Sequence, residues 1–262
     1  MEDFAQTRRE ALLRGSRNQL VSAQFLQARQ LLEALAGQLA QPVRPIRPRL
    51  RVERGAACAS REAGVLSGDS HLICALDDAR LLALISDGMG SGPDAARESG
   101  LAVRLLGRFL RAGAPCDLAV ETVNTLLLNR VGEDMFATAD LLLLNLATGD
   151  AEFVKLAACP TLIARNGEVL RVEGGRLPLG ILEKVRAERA RMRLMSGDVL
   201  LLVSDGVMDA AGSELLEALL LDGAAEADMT RLAERVLDAA GAACAGGRRD
   251  DMTAICLRIE AA

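Results

Sequence analysis

Short runs of consecutive apolar residues recur along the chain from about residue 50 onward, separated by polar turn residues. Two of these runs, residues 81–85 and 199–203, lead directly into Ser-Asp-Gly. Uninterrupted apolar runs of this length are typical of strands covered on both faces, and Asp-Gly marks a sharp turn at a strand end. The pattern therefore predicts two buried strands that each end in a carboxylate, Asp87 and Asp205.

Other strand-like and helical segments are arranged in blocks. Strands are predicted at about 51–59, 71–77, 80–86, 138–147, 151–157, 161–165, 168–173, 185–193, 198–204 and 254–259. Helices are predicted at about 95–111, 117–131, 213–221 and 228–243. Because pairs of helices follow runs of strands, the order favours an α+β fold in which two mainly antiparallel sheets form a β-sandwich flanked by helix pairs.

The first 41 residues have a different pattern, with apolar residues at alternating steps of three and four. Val21, Phe25 and Leu32 belong to this stripe, whose width is typical of a coiled-coil seam or a helix packed on its own domain. The pattern leaves open a packed arm, a homodimer seam and a signal-transmitting connector. Three segments are expected: a regulatory helical arm over 1–41, a Pro- and Arg-rich linker over 42–50 and a catalytic domain over 51–262.

Composition excludes several classes of function. The 262 residues include neither Trp nor Tyr, which argues against recognition by base or sugar stacking, and the net charge of −5 argues against a general nucleic-acid binder. Six scattered cysteines without a Cys-x-x-Cys pair are typical of a reducing compartment. No apolar run has the length of a membrane span, and no signal peptide is recognisable. We expect a cytoplasmic chain, whose parent protein is membrane-tethered if the chain is a fragment.

Acidic residues recur at the predicted strand ends, and they are Asp69, Asp87, Asp205, Asp250 and Asp251. Carboxylate oxygens are the ligands that Mg²⁺ and Mn²⁺ prefer, and such ions also hold phosphate. The single histidine excludes zinc sites with several histidines, and neither a Gly-x-Ser-x-Gly motif nor a Walker-type phosphate loop is present. The sequence therefore predicts a site for phosphomonoester hydrolysis in which two divalent ions activate a water.

Two further residues leave alternatives open. Asp140 could add a metal contact or lie on the solvent side of its strand. His71, close to Asp69, could act as a ligand or general acid, although a lone histidine at a strand start is more often incidental.

Five motifs follow one another in order within residues 50–260: Ser67-Gly68-Asp69-Ser70, Ser86-Asp87-Gly88-Met89-Gly90-Ser91-Gly92, Leu177-Pro178-Leu179-Gly180-Ile181, Ser204-Asp205-Gly206 and Asp250-Asp251-Met252-Thr253. This combination resembles the PP2C-type (PPM) metal-dependent serine/threonine phosphatases and, among them, the phosphatase region of bacterial stage II sporulation protein E. Through Arg17-Asn18-Gln19-Leu20-Val21-Ser22, the arm is similar to the regulatory helix that precedes that region.

The resemblance implies a PP2C-like αββα sandwich and two Mn²⁺ or Mg²⁺ ions. The ligands it implies are the side chains of Asp69, Asp87, Asp205 and Asp250 and the backbone carbonyl of Gly88. Asp87 would bridge the two ions, and Asp87 and Asp205 are the expected catalytic residues. Whether Asp250 or Asp251 points at the metal stays open. Met89 stands where many eukaryotic relatives have a proton-donating histidine, and Arg61 is a candidate for their phosphate-binding arginine.

The activity implied by the resemblance is hydrolysis of phosphoserine on a phosphorylated anti-sigma-factor antagonist, which would control activation of a sporulation sigma factor. An alternative from another class is a catalytically weak phosphatase-like scaffold that works by dimerisation through the arm. A regulatory switch, in which helix movements displace the metal-bearing backbone, is expected at Val21, Phe25, Leu32, Met89, Gly90 and Gly92. Neither a nucleic-acid partner nor a membrane segment is expected.

Overall fold

The computed structural model describes residues 26, 29, 30, 33, 47–62, 64–90, 92–129, 136–175, 177–244 and 250–262. The four described residues of the predicted arm are helical, and Arg29 pairs with Glu33 one turn later at 2.7 Å. Val21, Phe25 and Leu32 lie outside the described residues, as does most of the predicted linker. The division into arm, linker and catalytic domain therefore stays a prediction.

Ten strands and four α-helices follow one another in the described part of the chain. In order they are β1 (Leu50–Ala59), β2 (Asp69–Asp77), β3 (Arg80–Asp87), α1 (Pro93–Arg111), α2 (Cys116–Leu128), β4 (Ala139–Asn145), β5 (Asp150–Leu156), β6 (Thr161–Arg165), β7 (Glu168–Val172), β8 (Glu188–Arg193), β9 (Val199–Val203), α3 (Asp205–Asp222), α4 (Met229–Ala243) and β10 (Met252–Ala261). Each element predicted from residue 51 onward is present. α3 is interrupted at Gly212, whose φ of 70° and ψ of 161° are not helical, so its second part, residues 213–222, agrees with the helix predicted at 213–221. The helical segment before the interruption, residues 205–211, was not predicted.

The strands form two five-stranded sheets with antiparallel pairing. Sheet A has the order β1-β10-β9-β6-β7, and sheet B has the order β2-β3-β4-β5-β8. The sheets pack face to face, α1 and α2 cover the outer face of sheet B, and α3 and α4 cover the outer face of sheet A. The predicted α+β sandwich of two antiparallel sheets flanked by helix pairs is therefore confirmed.

The continuous apolar runs have a direct explanation in this layered arrangement. In β3, Ala83 and Ile85 point into the layer between the sheets, whereas Leu82 and Leu84 point outward under α1 and α2. Because side chains alternate between the two faces of a strand, a strand covered on both faces needs apolar residues at every position. Covering both faces leaves the strand ends as the places where polar chemistry can reach solvent.

The described helices also bear on membrane crossing. Among the residues that the structure describes, no helix combines the length and the apolar character needed to span a membrane.

Candidate metal centre

Four of the predicted aspartates lie at one end of the sandwich, although they are far apart in sequence. Asp69 begins β2 and pairs in register with Asp87 at the end of β3. Asp205 begins α3 two residues after the end of β9, and Asp250 lies two residues before β10. Ser204 and Thr253 tie β9 to β10 beside these two acids, with the Ser204 N–H donating to the Thr253 carbonyl at 3.0 Å.

The local structure differs from the prediction at one of these residues. A sharp turn was expected at Asp205-Gly206, but both residues belong to the first turn of α3. A Cβ at Gly206 would lie 2.1 Å from the carbonyl oxygen of Asp251. The glycine therefore serves the close approach of α3 to the segment before β10, which the local sequence does not reveal.

Burial and mutual repulsion raise the pKa of these carboxyl groups. Burial, followed by the charges of Asp69 and Asp205, raises the pKa of Asp87 to about 9. Burial is also the main cause that raises the pKa of Asp69 to about 6, and it raises the pKa of Asp205, with the charge of Asp250 as the next cause. Carboxylates that repel one another in a buried site favour the neutral form or a bound cation.

The hydrogen bonding of the Asp69 carboxyl group also indicates a site for a bound ligand. The nearby hydroxyls of Ser204 and Thr253 partly offset the rise of its pKa. Neither of its buried carboxyl oxygens, however, forms a hydrogen bond of normal geometry. A buried polar group without a partner is costly, so these oxygens are suited to an external ligand.

Hydrogen bonds hold the backbone of Asp87 in place. Its N–H donates to Thr138 Oγ1 at 2.9 Å, and its carbonyl accepts from the Thr138 N–H at 2.8 Å. Ser86 Oγ donates to the Thr138 carbonyl at 2.7 Å, and the Gly88 N–H donates to the Gly68 carbonyl at 3.3 Å. Nothing in the sequence marks Thr138 as a site residue, because a threonine at the start of a strand carries no distinguishing signal.

Gly88 brings the acidic strand end against α1. A Cβ at this position would lie 2.1 Å from the carbonyl oxygen of Ala95 in the first turn of that helix. No side chain fits there without moving backbone. The position of α1 and the backbone that follows Asp87 are therefore coupled by direct contact.

An open cavity of about 320 Å³ lies over the acidic cluster. Its lining residues are Arg61, Asp87, Gly88, Met89, Gly90, Phe136, Thr138, Asp205 and Asp250. A larger cavity, of about 590 Å³, is lined by parts of α1, α2 and sheet B, but none of the clustered acids contributes to it. The smaller cavity combines carboxylates with one arginine and is the better candidate for a phosphorylated ligand.

Asp250 and Asp251 have different surroundings. Asp250 lines the cavity, and its charge contributes to the raised pKa of Asp87. Asp251 is buried, and its two carboxyl oxygens accept from the backbone N–H groups of Arg61 and Gly68 at 2.7 and 2.6 Å. Asp251 therefore anchors the segment between β1 and β2, while Asp250 faces the open site.

Asp140 is buried, so its placement on the solvent side of its strand is wrong. Its Oδ2 accepts from the ammonium group of Lys155 at 2.6 Å, and it does not line the open cavity. The sequence offered a signal for Asp140 alone, which stands before four consecutive leucines in β4, whereas Lys155 lies in a strand that also holds Asp150 and Glu152.

The other predicted residues occupy several places around the site. His71 Nδ1 lies 3.2 Å from Cys58 Sγ and is not among the cavity-lining residues. Met89 and Gly90 line the cavity, and Gly92 precedes α1 with a φ of 81°, in the left-handed region that favours glycine.

The donor set can be tested for its fit to a divalent ion. In the described ranges, no three His, Cys, Asp or Glu side chains form a ready-made metal cage. Mg²⁺ does not require one, because it usually retains several waters and is bound by one or two carboxylates together with substrate phosphate. The unpartnered oxygens of Asp69 and the mutual repulsion of Asp69, Asp87 and Asp205 fit such an ion.

Comparison with known proteins identifies related sequences. The family model described as Stage II sporulation protein E matches residues 77–260. The stage II sporulation protein E of Bacillus subtilis (strain 168) is 31% identical over 214 residues, which cover 80% of this chain and 26% of that protein. The Priestia megaterium protein of the same name is 32% identical over 158 residues, which cover 60% and 27%. The chain thus spans about a quarter of the length of these relatives.

Solved structures agree with this result. The PP2C phosphatase domain of SpoIIE from Bacillus subtilis, solved with a fragment of its regulatory domain, matches with a TM-score of 0.74 and 30% identity over 82% of this chain and 65% of that chain. RsbX in complex with magnesium matches with a TM-score of 0.64 and 19% identity over 80% and 96%, a likeness of fold alone. The chain therefore belongs to the stage II sporulation protein E family, and its described domain has the fold of the PP2C-type serine/threonine phosphatases.

Proposed function

We propose that the protein is a Mn²⁺- or Mg²⁺-dependent phosphatase that hydrolyses phosphoserine on a small regulatory protein of the anti-sigma-factor antagonist type. Through this reaction it would control activation of a sporulation sigma factor. The observation that carries the proposal is the meeting of Asp69, Asp87, Asp205 and Asp250 beneath an open cavity. Family membership supports the same reaction class.

Each side chain of the site has a proposed role. Asp87 is the central ligand, Asp69, Asp205 and Asp250 complete the acidic set, and Gly88 contributes backbone oxygen. Bound divalent ions would supply phosphate binding and a water of lowered pKa. Arg61 lines the cavity, and a guanidinium can hold two phosphate oxygens at once. Met89 carries no proton to donate to a leaving group.

Release of phosphate from a purified, phosphoserine-bearing antagonist protein tests the proposal, with Mn²⁺ added or chelated. We expect metal-dependent release by the wild type and loss to background in Asp205→Asn. Asp78→Asn is the matched control, because it makes the same change at an exposed carboxylate of the β2–β3 turn. Equal activity of wild type and Asp205→Asn, or no release with Mn²⁺ present, would overturn the proposal.

The scaffold alternative makes a different prediction for metal binding. A scaffold that works by dimerisation has no need of the acidic cluster, so Mn²⁺ binding measured by calorimetry should be absent or independent of Asp87. The raised pKa of Asp87 and the unpartnered oxygens of Asp69 favour the enzyme over the scaffold. Such groups lower the stability of the metal-free protein, and a scaffold that binds no ligand at them would gain nothing in return.

We also propose that the arm regulates the site as part of a homodimer or within one chain. The contact between Gly88 and the carbonyl of Ala95 supports this, since a shift of α1 must displace the backbone after Asp87. Removal of residues 1–45 should change the rate of phosphate release at saturating Mn²⁺, and so should Val21→Lys in the stripe. A rate unchanged by both would contradict the switch and leave the catalytic proposal intact.

A further inference from the structure

The main carboxylates of the site come from different sheets. Asp87 ends β3 in sheet B, and Asp205 follows β9 in sheet A. Asp69 and Asp87, by contrast, are held together by strand pairing within one sheet. The separation of Asp87 and Asp205 therefore depends on how one sheet sits on the other. The apolar layer between the sheets holds them together, but the hydrophobic effect is non-directional.

A buried lysine makes a directional contact between the sheets close to this point. Lys155 in β5 of sheet B is 1% exposed, and its ammonium group donates to Asp140 Oδ2 at 2.6 Å. It also donates to Thr161 Oγ1 at 2.6 Å and to the Cys159 carbonyl at 2.8 Å. Thr161 begins β6 of sheet A, so all three N–H donors are used and one of them joins the two sheets.

The Lys155 network is connected to both carboxylates through short stretches of strand. Asp140 lies opposite Ile85 in the β3–β4 ladder, two residues before Asp87. On the other sheet, β6 pairs with β9, the strand that leads to Asp205. Asp87, Asp140, Cys159 and Asp205 all line one cavity of about 10 Å³, close to the smallest volume that holds a water. The free Oδ1 of Asp140 is buried and has no partner.

Stability alone does not account for such a pair. Burying an ammonium and a carboxylate costs about as much free energy as their attraction returns, and apolar replacements are often equally stable. A buried ammonium group whose three N–H bonds all donate restricts where its partners can lie, because each hydrogen bond needs its acceptor within a narrow range of positions. Groups that lie behind the ligands of a metal site orient those ligands through hydrogen bonds, and a network of this kind can do the same.

We propose that Lys155, together with Asp140 and Thr161, is a positioning element that sets the separation of Asp87 and Asp205 across the sandwich. In this way it sets the affinity of the site for divalent ions. The inference rests on the proposed metal-dependent function and assigns Asp140 a role behind the ligands. Thr161 is the most informative residue to change, because it is not a candidate ligand and carries no charge.

Calorimetric titration with Mn²⁺ alone tests this with two matched variants of the full chain. Thr161→Val keeps the shape of the side chain and removes the acceptor, whereas Thr161→Ser keeps the hydroxyl. We expect Thr161→Val to weaken Mn²⁺ binding by about 10- to 100-fold and Thr161→Ser to stay within about twofold of wild type, as for other partners behind metal ligands. Thermal unfolding without metal should remain cooperative in both variants.

A double variant covers the case in which Thr161→Val fails to fold. Asp140→Leu with Lys155→Met removes both charges together and leaves no unpaired charge, so it is expected to fold and to bind Mn²⁺ more weakly than wild type. Mn²⁺ binding equal to wild type in a folded Thr161→Val protein or in the folded double variant would overturn the inference alone. Absence of Mn²⁺ binding in the wild type would instead overturn the proposed function.

Discussion

Two groups of buried charges lie at the same end of the sandwich and differ in how they are satisfied. In the Lys155 network, opposite charges meet and each ammonium N–H has an acceptor between 2.6 and 2.8 Å away, although Asp140 Oδ1 has no partner. In the aspartate cluster, like charges meet, and both oxygens of Asp69 lack hydrogen-bond partners. Opposite charges that neutralise each other belong to the architecture, whereas repelling carboxylates without partners mark a place where an external ligand is expected.

The largest effect on stability is expected from removing one partner of the buried Asp140–Lys155 pair. Lys155→Met leaves Asp140 buried without its partner and should lower the free energy of unfolding by about 3–5 kcal/mol. Adding Asp140→Leu in the same chain should restore most of this loss. Chemical denaturation of both variants measures it. A single variant as stable as wild type would show that Asp140 tolerates burial alone and would remove the contrast between the two groups.

The neighbouring residues Asp250 and Asp251 sharpen the comparison. Asp251→Asn replaces one acceptor of a backbone N–H by a donor, and it should lower the unfolding free energy by about 1–3 kcal/mol. Asp250→Asn should leave the metal-free stability unchanged or raise it, and should weaken Mn²⁺ binding. Denaturation and calorimetry separate the two effects. Reversed results would mean that Asp251, not Asp250, faces the metal.

Removing one carboxylate from the aspartate cluster should raise the stability of the metal-free protein rather than lower it. Asp87→Asn removes a repelled carboxylate, so the metal-free protein should gain stability while Mn²⁺ binding is lost. A gain of about 1 kcal/mol corresponds to a rise in Tm of roughly 2–4 °C for a chain of this size. Thermal unfolding with a chelator measures the change, with Asp78→Asn as the control. A fall in Tm would indicate that Asp87 is stabilised by its surroundings even without metal.

The stability of the metal-free protein should also depend on pH. The pKa of Asp87 is about 9 in the folded state against an ordinary value of 3.8, so the folded state holds its proton more tightly than the unfolded state does. The stabilisation is complete below the ordinary pKa and is lost as the pH rises through 9, with the contribution of Asp69 lost around pH 6. Thermal unfolding in chelator between pH 5 and 9 should show a falling Tm, and Asp87→Asn should flatten the upper part. A rising Tm that is insensitive to Asp87→Asn would contradict the raised pKa.

Much of the fold was predictable because the spacing of apolar residues along a segment shows which of its faces other elements cover. A strand such as residues 199–203 reads as continuously apolar since helices cover one face and the opposite sheet covers the other. The second part of α3 was predicted, but its first part, residues 205–211, was not predictable in this way. Asp205-Gly206 is typical of a turn, and the close approach of Gly206 to the backbone of Asp251 joins residues 45 positions apart.

The candidate site likewise has features that the sequence predicts and features that only the folded structure reveals. The sequence by itself determined which acids stand at strand ends, because those positions follow from the apolar runs beside them. Only the tertiary structure decided that Asp250 faces the cavity while Asp251 anchors a loop, and that Asp140 is paired with Lys155. Charge repulsion, burial and hydrogen bonding depend on distances between segments remote in the chain, and no local pattern of residues encodes those distances.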